Sequence, residues 1–370
     1  MSRLFFFPIE TCPRELNYKR LVSKSIFKDG DIHIFARPWV LQMLSRIFKN
    51  INWFGQNCFE RSRFFKTTTV EELRKKHGKL FYFDEEGGVY PINDAENIFN
   101  KRYKNKNLTV EDIVFSWGTK QEELLNNLKI RNFMVGHPKF IYSSLENIKS
   151  KTSNSEKATL ILTNFSVIFS KNNFEKWFEK DVYSNFISTA LKNASKLLSL
   201  VNKLDGKIYI RIHPSEDMKL YQKILKKINN VEILPREDLI QSLQRANNVY
   251  HFNCTTAVDA FFHNITVKNM ADGSYTIVND IPENTDHNLD SLWLNDPFDS
   301  ELFTRTINDN AKDYVMHKFF LRNMVYFYAI IFETIYKIIS LFGLRHYQDE
   351  KFGEFNKNSN VSFFDIEIVS

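Results

Sequence analysis

Lys207-Ile-Tyr-Ile-Arg-Ile-His-Pro-Ser-Glu-Asp217 joins an alternating apolar run to a polar turn, and this junction decides the fold. Ile208, Ile210 and Ile212 alternate with Tyr209 and Arg211, the period of a half-buried β-strand. Pro214 cannot donate to a strand ladder and keeps the preceding residue extended, so the run stops there and His213 stands at the strand's carboxyl end. In open α/β sheets that edge is where ligands bind. Ser215, Glu216 and Asp217 read as a helix start, whose free N–H groups attract anions.

A second turn of the same kind follows. The short run 249–252 leads into Asn253, Cys254, Thr255 and Thr256, and a helix is expected from about Ala257. Hydroxyls and backbone N–H groups at a strand-to-helix turn form an anion cradle. Taken singly, each turn reads as well as a helix cap: His213 capping a neighbour, the threonines as ordinary N-caps. Two such turns in one βαβ array favour a nucleotide phosphate held between them.

The 370 residues give room for two domains, each with its own core. The chain is 43% hydrophobic and 25% charged, as in globular proteins, but 35 Phe and 15 Tyr make it unusually aromatic. Net charge is +6 with the two signs interspersed, which suits anionic substrates or an anionic membrane face and does not point to nucleic acid. Cys12, Cys58 and Cys254 lack metal-ligand spacing and fit a reducing cytoplasm. Leu4 to Phe7 is too short for a signal peptide and reads as a first buried strand. The apolar run 324–342 contains Glu333 and Lys337, spaced to pair on one helix face, so a soluble or peripheral protein is expected rather than a membrane-spanning one.

Strands are expected over 4–9, 32–35, 81–83, 113–117 and 133–135, with a helix over 120–128. After a polar linker at 146–158 the alternation resumes, with strands at 159–162, 207–212, 231–234, 249–252 and 266–269. Helices are expected over 174–203, 217–228, 238–245 and 257–263, and a last long one over 311–342. This is the pattern of an α/β protein with two Rossmann-like domains facing a cleft, the GT-B architecture. The expected division is 1–150, 151–320, and a C-terminal helix and tail, 321–370, crossing back to the first domain. The strand at 81–83 runs into Asp84-Glu85-Glu86-Gly87-Gly88, and three carboxylates there are expected to face water or a ligand, since burying an unpaired charge costs several kcal/mol. Gly136-His137-Pro138 is a second His-Pro at a strand end.

Ile9-Glu10 with Arg14-Glu15, Asp84 to Gly87, Phe115-Ser-Trp-Gly118, Val135 to Pro138, Leu162-Thr-Asn-Phe165, Arg211 to Asp217 and Thr255-Thr256-Ala257 together resemble the bacterial surface carbohydrate biosynthesis proteins. Those are similar to GT-B transferases of capsule and O-antigen synthesis that use CMP-activated acidic sugars, such as sialyl-, polysialyl-, Kdo and pseudaminic acid transferases. The resemblance spans about residues 8 to 275. It implies that residues 1–150 hold the acceptor, with Asp84, Glu85 and Glu86 as the catalytic acidic motif. It implies further that 151–320 binds the CMP donor through His213, Pro214 and the hydroxyls of Thr255 and Thr256, with Ser215 and Asn253 beside them. Glu10, Arg14 and His137 would line the acceptor side; for Glu10 and Arg14 a structural ion pair is the competing reading. Asn253-Cys254 and Gly136-His137-Pro138 depart from the family's usual residues.

The function implied is transfer of Kdo or another nonulosonic acid from its CMP donor to a surface polysaccharide or lipid-linked glycan. One carboxylate of the acidic motif would be the general base of an inverting reaction or the nucleophile of a retaining one. A monophosphate leaving group can be neutralised by imidazole and backbone donors, so neither a metal nor a further cofactor is expected. Two other readings stand beside it: a CDP-glycerol or CDP-ribitol type polyol-phosphate transferase, and a non-catalytic scaffold of glycan assembly. Phe319, Phe320, Tyr326 to Tyr328 and Phe332, near Lys318, Arg322 and Arg345, suit either a helix packed in the protein or one resting on the inner membrane.

Overall fold

The structure, a computed structural model, describes residues 2–56, 58–59, 67–84, 90–104, 106, 108–138, 158–169, 180–213, 216–235, 239–273, 275–282, 289–294, 298–314, 318–341 and 366–370. The chain divides into two compact units, one of Met1–Gly87, Glu96–Tyr142 and Trp293–Ser370, the other of Gly88–Ala95 and Ser143–Leu292. Each is an α/β unit built on a sheet of mainly parallel strands.

In unit 1, β1 (Ser2–Pro8), β2 (Ile32–Ala36), β3 (Ile51–Phe54), β4 (Lys79–Phe83), β5 (Ile113–Ser116) and β6 (Asn132–Met134) run parallel in the order β2-β1-β3-β4-β5-β6. Two short strands from the chain's end join antiparallel, β12 (Asp313–Tyr314) on β1 and β13 (Ile366–Val369) on β2. A parallel sheet covered on both faces needs strands that are apolar throughout, and every residue of β1 is buried. The high phenylalanine content is spent here. Phe7 stacks on Phe35 at 4.8 Å, Phe54 on Phe83 at 6.1 Å and Phe81 on Phe115 at 6.4 Å, aromatic ladders across the sheet.

Besides α1 (Cys12–Ile26), unit 1 contains elements outside the expected set, among them the helix α2 (Pro38–Leu44), the strand β3, the helices Thr69–Lys75 and Ala95–Lys104 and the short strands β12 and β13. The boundary at residue 320 is also corrected. Helix Ser300–Asn310 belongs to unit 1, because Phe303 lays its ring against Phe54 and Phe115 at 5.8 and 4.7 Å and Arg3 reaches Asn308 at 2.7 Å. Unit 2 ends at Leu292 and takes in Gly88–Ala95, where Tyr90 exchanges hydrogen bonds with Thr276. The linker expected at 146–158 lies, apart from Ala158, outside the described residues.

The helix Lys318–Leu341 packs in unit 1 on α2, with Trp39 against Phe332 and Tyr336. Glu333, expected to pair with Lys337, is buried with the Arg37 Nε 3.5 Å away. No helix among the described residues is long and apolar enough to cross a membrane.

In unit 2, β7 (Thr159–Leu162), β8 (Ile208–Arg211), β9 (Val231–Ile233), β10 (Asn248–His251) and β11 (Thr266–Asn269) form a parallel sheet in the order β11-β10-β7-β8-β9. Ile208 and Ile210 are fully buried while Tyr209 and Arg211 are half-buried, as the alternation predicts. They pack with Ile161 under Leu197 and Val201 of the helix Lys180–Val201.

Candidate functional site

In unit 2 the chain winds outward from β7 through β8 and β9, then crosses to the other side for β10 and β11. The loops leaving β7 and β10 therefore diverge to opposite faces, and the crevice between their carboxyl ends is the place where such sheets bind ligands. Leu162 lies opposite Arg211 on one side and His251 on the other, so the residues after β7 emerge between the His213 turn and the Asn253 turn. With neighbouring strands ~4.8 Å apart, those two turns stand about 10 Å from each other across the end of β7.

A buried carboxylate ties the β7 and β8 ends together. Glu216, 2% exposed, accepts hydrogen bonds from Thr163 Oγ1 at 2.8 Å, from the Phe165 N–H and from the Tyr221 hydroxyl. Burial pushes the Glu216 carboxyl up from the ordinary carboxylate range, and those three donors hold it back. Thr163 Oγ1 also accepts the His213 N–H at 3.1 Å, which fixes the backbone of the half-buried His213. The expected helix start is corrected by one detail: the cap of helix Met218–Leu225 is Asp217, accepting from the Lys219 N–H at 2.9 Å, while Glu216 turns inward. Pro214 and Ser215 lie outside the described residues. Arg211 is directed to Ser242 at 2.7 Å.

On the β10 side, Asn253 has φ +54°, a left-handed conformation that asparagine tolerates better than most residues. Its carbonyl accepts from Asn164 Nδ2 at 2.8 Å and its Oδ1 from Asn269 Nδ2 at 3.1 Å. Asn253 is 6% exposed, so this side chain braces the turn instead of standing open to a ligand. Thr255 and Thr256 are half-buried, and Thr255 makes no capping hydrogen bond although it occupies the N-cap of helix Thr256–Phe262. The reading of Thr255 as an ordinary hydrogen-bonding N-cap is thereby set aside. His251, at the end of β10, is buried and its pKa is lowered to about 3 by desolvation, so it is a neutral core residue.

The strand order of unit 1 reverses between β1 and β3, which brings Glu10 to its switch point. The Glu10 N–H donates to Glu15 Oε2 at 3.0 Å; Lys19 Nζ reaches the same oxygen at 3.1 Å and the Pro8 carbonyl at 2.6 Å. Glu15 and Lys19 are both fully buried, a pair whose sequence trace is only its i,i+4 spacing on a helix. Glu10 itself is half-buried, and the side chain of Arg14 is outside the described residues.

Asp84 is a correction. Instead of facing water or ligand it is 1% exposed and paired with Arg102 of the helix Ala95–Lys104 at 2.6 Å. A charge can be buried where an opposite charge is supplied. Glu85 and Glu86 lie outside the described residues. His137, expected on the acceptor side, is 1% exposed and caged by Trp117, Phe83 and Tyr18 with ring centroids at 4.3, 4.6 and 5.5 Å. Its ring packs against side chains at the carboxyl ends of β4 and β5. Among the described residues no group of three or more His, Cys, Asp or Glu is placed to hold a metal ion.

No family model matches the chain. No curated protein matches it either. Among solved structures it is similar to the pneumococcal O-GlcNAc transferase GtfA in complex with UDP and GlcNAc, with TM-score 0.38 and 8% identity over 84% of this chain and 58% of that one. It is similar also to the GtfA/B complex, with TM-score 0.34 and 12% identity over 84% and 55% of the two chains. The chain spans somewhat over half the length of these structures.

Proposed function

We propose that the protein is a glycosyltransferase of GT-B type whose unit 2 binds a CMP-activated acidic sugar, Kdo or another nonulosonic acid, for transfer to a surface polysaccharide or lipid-linked glycan. The observation that carries this reading is the switch point of the unit 2 sheet, where the His213 turn and the Thr255–Thr256 turn flank the end of β7. Its spacing suits one phosphate ester between an imidazole on one side and two hydroxyls on the other.

On this reading His213 donates to the phosphate oxygens as the cytidylate leaves, the moment at which negative charge grows there, and the threonine hydroxyls share that load. The rigid Glu216–Thr163 network contributes by holding the His213 backbone in place before the donor arrives. Glu85 and Glu86 remain the carboxylates for the acceptor hydroxyl, with Glu10 lining the acceptor side, and Asp84, engaged by Arg102, is given a structural role.

The experiment is calorimetric titration of the full chain with CMP, followed by incubation with CMP-Kdo, CMP-sialic acid, CDP-glycerol and UDP-GlcNAc. CMP binding that His213→Ala and the Thr255→Val/Thr256→Val pair each weaken is the expected result. Turnover of CDP-glycerol or UDP-GlcNAc alone defeats the donor assignment. Wild-type glycan in cells carrying His213→Ala and Glu86→Gln would leave only a scaffold role.

A further inference from the structure

Residues 162–165 end β7 and begin the loop that follows, and three of them are sealed in the core. Leu162 and Thr163 are 1% exposed and Phe165 is 2% exposed. Thr163 turns inward to Glu216, and Phe165 packs its ring against Phe252 with centroids 5.1 Å apart. Asn164 is half-buried, so it is the side chain that this loop presents at the edge of the unit 2 sheet. Leu162 lies in register between Arg211 of β8 and His251 of β10, which brings Asn164 out between the His213 turn and the Asn253 turn. A phosphate bridging two turns about 10 Å apart lies over the strand between them, and so over this side chain.

The neighbours of Asn164 orient its carboxamide. Nδ2 donates to the Asn253 carbonyl at 2.8 Å, and because a carbonyl can only accept, the nitrogen has to lie on that side. Oδ1 accepts from the Ser166 hydroxyl at 3.3 Å. An asparagine amide carries two N–H donors in one plane, and the Asn253 carbonyl takes one of them. The plane is thereby fixed while the second N–H has no protein acceptor among the described residues. Asn269, at the end of β11, is the contrast. Its Nδ2 is shared between Asn253 Oδ1 at 3.1 Å and Asn279 Oδ1 at 3.3 Å, and its Oδ1 accepts the Ala271 N–H at 3.0 Å, so that amide is filled by the protein at both ends.

We propose that Asn164 is a further donor-binding residue, its second amide N–H directed to an oxygen of the nucleotide phosphate held between His213 and the threonine pair. This rests on the reading of unit 2 as the donor site. An amide supplies a donor without a charge, so it holds the phosphate before and after the sugar departs, and the negative charge gained by the leaving cytidylate falls to His213.

The test is calorimetric titration of CMP into the full chain and into Asn164→Ala, Asn164→Asp and Asn164→Lys. Alanine and aspartate both lose the bond to the Asn253 carbonyl, so a purely bracing role would weaken CMP equally in the two. A phosphate contact separates them by charge. Expected are a loss of roughly tenfold for alanine and a further loss of about tenfold or more for aspartate, whose carboxylate faces the phosphate, with lysine binding more tightly than alanine. Circular dichroism checks that each variant keeps its fold, and any two folded variants suffice to read the order lysine, alanine, aspartate. Equal affinities or a different order, in a protein whose wild type binds CMP, overturn the assignment of Asn164 and leave the donor reading standing. Wild-type protein that binds no CMP overturns the donor reading and this assignment with it.

Discussion

Thr163 and Glu216 are joined by a hydrogen bond of 2.8 Å, and the same threonine oxygen receives the His213 N–H at 3.1 Å. One hydroxyl thus connects a buried carboxylate to the backbone of His213, the residue proposed to contact the donor phosphate. Thr163→Val keeps the volume and removes the link, leaving a buried acceptor short of a donor. It is expected to cost about 1–3 kcal/mol in urea unfolding and to weaken CMP binding measured by calorimetry. Unchanged CMP affinity with lowered stability would reduce the network to a fold element.

Asn253 separates backbone from side-chain effects. Asn253→Gly keeps the left-handed turn and loses the bond to Asn269, whereas Asn253→Ala loses the bond and meets the left-handed strain as well. The alanine variant is expected to be the less stable of the two by about 1 kcal/mol. Thermal unfolding of both proteins side by side checks the order.

Asp31 contributes to the acid sensitivity of unit 1. Burial alone would raise its pKa, but His33, the Arg3 guanidinium and the Lys28 N–H outweigh that and lower it to about 2. A depressed carboxyl contributes stability that is complete above its unfolded pKa and disappears as pH falls through the folded one. Urea midpoints are therefore expected to fall between pH 4 and pH 2. Asp31→Asn should flatten that decline while costing about 3–5 kcal/mol at neutral pH, where Arg3 is left buried without its partner.

His251 acts in a higher window. Its folded pKa of about 3 lies below the ordinary 6.5 because its ring is desolvated, so its contribution is present above pH 6.5 and lost as the solution is acidified toward 3. His251→Leu, which cannot titrate, is expected to show a shallower loss of stability across that range. Identical pH profiles for the two proteins would show that the ring gains access to water before it protonates.

Arg102 and Asp84 test the reassignment of the acidic motif. Arg102→Leu leaves Asp84 buried without its cation and should lower stability by about 3–5 kcal/mol, and Asp84→Asn in that background should recover part of it. A double variant no more stable than Arg102→Leu alone would mean that Asp84 does not act through this pair.

The strands at 207–212, 249–252 and 266–269 could be read from the chain because each is a local run of β-branched and aromatic residues bounded by polar turns. β3 could not. It is four residues long with an asparagine inside, and Asn52 fits a buried strand only because Lys312, far along the chain, supplies a carbonyl at 2.9 Å and an N–H at 2.7 Å. Asp84 was hidden in the same way, because its partner Arg102 lies on a later helix, whereas Glu15 and Lys19 left an i,i+4 trace. Whether a charge is buried depends on a partner that sequence proximity reveals only when both lie on one helix.

The order of residues by itself determined the alternation of strands and helices and the polar character of the turns where strands end, since these follow from side-chain period and from proline and threonine chemistry within a few residues. Strand order was decided only in three dimensions. It depends on which sheet edge each returning chain can cover, a competition among surfaces far apart in sequence. That order put the switch point between β7 and β10, and tertiary packing handed Ser300–Asn310 to unit 1 and set Asp84 against Arg102.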